Sequence, residues 1–204
     1  MKYEKQALTF DQQADLLIRR GMAGDRETMK ERLASVNYYR LSGYGYPFRN
    51  QDNTFKPGTS FETVWDRYVF DRRLRLLVMD AIERLEVTIR SQLAYHHAHQ
   101  HGPFAYAVDQ KSLPKFGTKD WSDFGNRLRE ETSRSRDSFV AHFRQKYGDA
   151  HAWLPIWMAI EVMSFGTVLT MYRGASHQVK QAVASVFGLP FVVFDSWLLT
   201  LNTV

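Results

Sequence analysis

The sequence contains no cysteine among its 204 residues. That excludes a disulfide framework, a thiolate metal site and a cysteine nucleophile, and it suits a reducing cytosol. The first residues, MKYEKQALTF, lack the apolar run of a signal peptide. Alternating strand patterns are scarce, and no period of 20–50 residues repeats. Charge of one sign is not extreme either. Twenty-seven Lys+Arg against 22 Asp+Glu leave +5, which permits an anionic partner without requiring one. Long apolar runs come close to membrane length twice, over Trp153–Tyr172 and Val186–Val204. Glu161 near the centre of the first, and Pro190 and Asp195 in the second, predict helices buried in protein rather than spans.

What is present is helical punctuation. Thr9 followed by Gln12 has capping-box spacing, Asp25 can cap a second helix carrying Met29 and Leu33, and Ser176 can cap a late one closed by Gly188. From Ser60, apolar residues including Phe61, Trp65, Tyr68, Ile82, Ile89 and Leu93 recur near helical spacing as far as Gly102-Pro103. An unbroken helix of that length would span roughly 60 Å, so a kink or break is expected. Between these lies an aromatic stretch, Tyr38, Tyr39, Tyr44, Tyr46, Phe48 and Phe55 with Arg40 and Arg49. It reads as an ordered loop with a hairpin turning at Gln51–Asn53. Further helices are expected over residues 122–147 and 153–172, and from Pro190 onward. The chain is therefore read as all-α, a bundle of six to eight helices, with N-terminal helices and loop over 1–58 and a helical core over 59–204.

The densest chemistry sits on the long helix. Glu86 and Arg90 are four apart, as are Asp71 and Arg75, so each pair can meet on one face. Such pairs are either surface ion pairs or a way of orienting a guanidinium for phosphate. His97 lies two turns beyond Arg90, inside YHHAHQH. Its run reads as solvated helix-end histidines, as an i, i+4 metal pair with His101, or as half of an Arg/His pair acting on a phosphodiester. No HExxH motif and no neighbouring acid support the metal. The aromatic stretch could stack bases while its arginines neutralise phosphates, or could plug a loop onto the core. Glu161, the lone charge of its apolar helix, is expected to be buried and to meet Arg90 or Arg75.

Four segments in order, NYYRLSGYGYPFR, FKPGTSFE, YVFDRRLRLLVMDAIERLEVTIRSQLAYH and LPIWMAIEVMSFGTVLTMY, resemble the abortive-infection Abi family of the AbiD/AbiF type. That family is similar to the HEPN superfamily. The resemblance implies an all-α, dimeric, metal-independent endoribonuclease used in phage defence or as a toxin, cytoplasmic, without cofactor. It also implies RNA as a partner, an RNA or protein antitoxin, and no membrane. In such families Arg is followed four to six residues later by His, after an apolar helix like FDSWLLTLN. Here the sequence reaches Leu201-Asn202-Thr203-Val204 at that point, so the resemblance predicts a truncated chain lacking the usual pair. Arg90 and His97 stand as secondary catalytic candidates with Glu86 orienting, and Arg40, Arg72 and Arg75 as RNA contacts. The alternative is a non-catalytic RNA- or protein-binding module. The apolar residues Phe191, Val192, Phe194, Trp197, Leu198 and Leu201 are expected to need cover, part of it from a second copy.

Overall fold

The computed structural model describes residues 6–201. Among these it forms eleven α-helices, two short 3-10 turns and no strand, an all-α architecture with more pieces than the six to eight expected. Packing divides the chain into two compact units, Met1–Met79 and Asp80–Val204.

The first unit opens with α1, Phe10–Arg19, whose start is the expected capping box. The Gln12 amide donates to Thr9 Oγ1 at 3.2 Å and the Thr9 amide to Gln12 Oε1 at 2.9 Å. α2, Arg26–Ser35, starts where Asp25 accepts from the Thr28 amide at 2.8 Å. The two helices bury Ala14 and Leu17 against Met29 and Leu33, with Phe55, Phe61 and Val64 completing one core. Outside it, the Arg26 guanidinium reaches Asp15 at 2.7 Å and Asp11 at 3.0 Å. A parallel bridge joins Ala23 to Ser60, with the Phe61 amide donating to the Ala23 carbonyl at 2.8 Å.

The aromatic stretch corrects the expected loop. Tyr38–Gly45 is helix α3, capped by Asn37, which accepts from the Tyr39 amide at 2.7 Å. Pro47 then stops the helix in a 3-10 turn, Tyr46–Phe48. Leu41 anchors α3 in the core, and Gly45 lets Phe55 lie against its backbone. The turn expected at Gln51–Asn53 is present. An antiparallel bridge pairs Arg49 with Phe55, the Asn50 amide donates to the Thr54 carbonyl at 2.9 Å, and Asn53 is left-handed at φ 66°.

The long helix α4, Phe61–His101, is continuous over its whole length, so the alternative of a break in it is not met. Its 41 residues include neither Gly nor Pro, so nothing in the backbone interrupts the hydrogen-bond ladder. Phe61 and Val64 belong to the first unit's core, and Ile89, Leu93 and Ala94 to that of the second. Gly102, at φ 87°, ends the helix where Pro103 could not have continued it.

The second unit continues with α5, Ala105–Val108, and a 3-10 turn over Gln110–Ser112. Then come α6, Thr118–Arg134; α7, Ser138–Tyr147; α8, Ile156–Val162; α9, Phe165–Gly174; α10, His177–Ser185; and α11, Phe191–Leu201. Two segments read as single helices are thus two each. Residues 135–137 part α6 from α7, with Ser135 Oγ on the Asp137 carboxylate at 2.7 Å. Ser164 parts α8 from α9 by capping the latter through the Thr167 amide. α8 buries Ile156, Ala159 and Ile160, whereas Glu161 faces solvent. The expected buried Glu161–arginine pair is therefore corrected: the split leaves α8 less than two turns, with its acid on the outer side. On α11, Phe194 and Leu198 are buried, Phe191 is half-buried, and Val192 and Trp197 are exposed; the Leu201 side chain lies outside the described residues. No helix among the described residues is long and apolar enough to cross a membrane.

Gly24 carries the close approach beneath the Ala23 bridge. Its φ is 146°, and a Cβ there would stand 2.9 Å from Met29 Cε and 3.0 Å from Phe61 Cβ. Gly24→Ala is expected to lower stability by about 1–3 kcal/mol through backbone strain and overpacking. Gly43→Ala, in α3 with nothing within 4 Å, should be neutral or slightly stabilising. Thermal melts of the two variants against the parent check this.

Candidate functional site

The constellation expected on α4 is well ordered but internal. Arg90 is only 9% exposed. Its Nε donates to Glu86 Oε1 at 3.0 Å, its Nη2 donates to the same oxygen, and its Nη1 donates to the backbone carbonyl of Ile160. That carbonyl belongs to the last turn of α8, where no amide four residues on completes the ladder. The guanidinium is therefore occupied on both sides in capping α8, with Glu86 as its counter-ion.

His97 has no solvent exposure, and neither ring nitrogen has a hydrogen-bond partner. His101 Nε2 is likewise buried and unpartnered, the two rings lying 4.9 Å apart, and the Tyr106 ring stands edge-on to His97 at 6.5 Å. Burial, then the neighbouring His101, push the His97 imidazole down to about 4, against a smaller opposing pull from the Ser112 backbone. Arg90 and His97 do share a face, but seven residues separate them by about 10 Å along the axis, and both are covered by the core. The arrangement holds a neutral imidazole in an apolar interior and presents no Arg/His edge to solvent. Among the described residues no three His, Asp or Glu side chains converge as metal donors.

The expected RNA contacts lie in the first unit. Arg40 and Arg72 are exposed, and Arg75 is exposed but bonded to Asp71 at 2.8 Å, which also accepts from the Tyr44 hydroxyl at 2.5 Å. The structure adds an open cleft between α1, α3 and the Asn53 turn, lined by Arg20, Tyr38, Tyr39, Arg49 and Gln13 among others. Arg20 Nη1 donates to the Tyr38 hydroxyl at 3.1 Å, and the Tyr39 ring is 86% exposed. Among the described residues neither Arg20 nor Arg49 forms an ion pair with a carboxylate. The sequence had flagged the tyrosines and Arg49 in the aromatic stretch. It missed Arg20 and Gln13, which lie in and just after α1 and join the cleft through the fold, Arg20 by its bond to the Tyr38 hydroxyl. The only local signal was the basic end of α1, Arg19-Arg20.

The buried imidazole ties stability to pH. In the unfolded chain it takes a proton near 6.5 and in the fold only near 4, so its contribution is complete above 6.5 and erodes as the pH falls toward 4. Between pH 7 and pH 5 the folded protein should lose about 2 kcal/mol on this account. Urea unfolding at both pH values checks it: His97→Leu should lose about 2 kcal/mol less than the parent over that interval.

No curated protein and no solved structure matches the chain. One family, described as Abi-like protein, matches residues 31–204, from the middle of α2 through α11. By that match, which covers most of its length, the chain belongs to the Abi-like protein family.

Proposed function

We propose that this abortive-infection-type protein acts on RNA, and that its first unit grips the RNA through the cleft beside α3. One observation carries the reading. An arginine at the C-cap of α1, an arginine beside the Asn53 turn and a solvent-exposed tyrosine on α3 line one cleft in which the arginines have no carboxylate partner among the described residues. Unpaired guanidinium groups suit phosphates, and an exposed ring offers a stacking surface to any base. Arg40 and Arg72 extend positive charge over the same unit, consistent with the net charge of +5. Arg90 and His97 have no part in contacting RNA in this reading, since both are buried. The kinship with metal-independent HEPN endoribonucleases implied by the sequence makes RNA cleavage the competing outcome. A homodimer belongs to the same proposal, a second copy covering Val192 and Trp197 of α11.

Binding of fluorescent single-stranded RNA should weaken linearly in log–log with salt, and Arg20→Ala and Arg40→Ala should each reduce the slope by about one. The RNA should stay intact in EDTA; cleavage abolished by His97→Ala would replace the gripping role with a catalytic one. Light scattering should report about 48 kDa, twice the 23.8 kDa chain, and Trp197→Glu should return it to the monomer. A monomeric parent would remove the dimer from the proposal.

A further inference from the structure

Helix α4 has no buried residue between Val64 and Ile89, and every residue from 72 to 81 is exposed. A helix running through water is expected to be polar on all sides, and this one is not. Phe70, Leu74, Leu77 and Val78 are all exposed, Leu77 by 70%. Phe70, Leu74, Leu77 and Ala81 follow one another at spacings of four, three and four, the a/d pattern of a coiled-coil seam. Arg67 and Arg84, the next positions of the repeat on either side, close that seam. Charge is graded along the same stretch, with Arg72, Arg73 and Arg75 before the middle and Asp80, Glu83 and Glu86 after it. Asp71, the acid among the arginines, is already taken by Arg75 and the Tyr44 hydroxyl. Arg73 forms no ion pair among the described residues. Asp80 meets Arg84 at 3.0 Å in a pair exposed on both sides, which contributes little and leaves the carboxylate open to a second cation.

We infer that this stripe docks a second copy of the chain, whose α4 lies antiparallel to the first about a two-fold axis between Arg75 and Leu76. In that register Leu74 meets Leu77 of the second copy, and Phe70 meets Ala81, a large side chain against a small one. Arg73 lies beside Asp80 of the second copy, and the symmetry makes the contact twice. The basic half of each helix thus faces the acidic half of the other, and this complementarity assigns the stripe to a second copy in this direction. A parallel pair would set Phe70 on Phe70, and would leave Arg73 beside Val78 and Asp80 beside Leu85. Met79 is exposed as well but falls on the opposite side of the helix from the seam. The inference deepens the dimer reading above, adding α4 to a pairing so far placed on α11, and it does not depend on RNA.

The experiment follows the monomer–dimer equilibrium of the full chain by sedimentation over a dilution series, with helix content checked by circular dichroism. Leu77→Glu should weaken dimerisation by about a hundredfold or more, because two leucines leave the seam in each dimer. Met79→Glu, the same change on the other side of the helix, should leave it unaltered. Arg73→Asp should weaken the dimer by about tenfold, since it sets acid against acid twice, and Arg73→Asp with Asp80→Arg should restore it. Only a pairing that brings Arg73 to Asp80 of the other copy predicts that rescue. A dimer that survives Leu77→Glu at parent strength overturns the inference and leaves the pairing on α11 standing. A double charge swap that fails to restore what Arg73→Asp loses overturns it too, as does a Met79→Glu variant as weak as Leu77→Glu. If Leu77→Glu is monomeric while Trp197→Glu remains a dimer, the pairing belongs to α4 and the α11 contact falls. A monomeric parent overturns this inference and the dimer reading together.

Discussion

Arg90 sets the terms on which the second unit is built. A guanidinium taken out of water must have its charge balanced and its donors used, or the core around it is not worth forming. Glu86 answers the charge from one turn earlier on the same helix, and the Ile160 carbonyl answers the remaining edge from the end of α8. The result fastens a helix terminus to a helix flank by polar bonds in the middle of apolar packing, with Ile89 and Leu93 buried on one side and Ile156 and Ala159 on the other. Such a bond is directional in a way that leucine packing is not. It ties the last turn of α8 to the flank of α4, while Ser164 caps the start of α9 with its own side chain.

A second polar tie follows the same logic farther along. Lys180 of α10 is largely buried, and its ammonium meets Asp195 of α11 at 3.0 Å while lying 5.4 Å from the centroid of the Tyr172 ring. The buried Tyr172 hydroxyl in turn donates to the Lys180 carbonyl at 3.4 Å. Desolvation, with Asp195 nearby, pushes the Tyr172 phenol well above its ordinary range, so it stays a neutral donor at any physiological pH. In both places the unit spends a charged side chain on orienting helices, and the surface is left to carry recognition.

Short-range chemistry was what the sequence made legible. Thr9 with Gln12, Asp25, Ser176 and Gly102-Pro103 act within four residues of themselves, and each marks a helix boundary in the structure. The all-α class followed from that punctuation and from helical spacing. What escaped was decided across elements. The apolar neighbours of Glu161 suggest a core position, yet the inward side of α8 is the one carrying Ile156, Ala159 and Ile160, packed against residues far off in sequence, and Glu161 falls on the other. The break at Ser164 has a cap spacing with Thr167, but an apolar run on both sides concealed it. The aromatic stretch became helix because Asn37 caps it and Leu41 has a core to enter. The cleft shows the same division: Tyr39 and Arg49 stand out locally, whereas Arg20 and Gln13 acquire meaning only once the fold brings them to one cleft.

The pairing of α1 with α2 has a consequence in time. Their contacts are local in sequence, so the helical hairpin is among the fastest parts of the chain to form. Its apolar side is not finished by either helix: Leu17, Met29 and Leu33 are closed over by Phe61 and Val64, which follow the end of α2 by about 26 residues or more. On a ribosome adding roughly 5–20 residues each second, the hairpin waits about 1 to 5 s for its cover. During synthesis the apolar residues of α1 and α2 therefore precede their cover, and over that interval a chaperone or another nascent chain meets side chains that the finished protein buries.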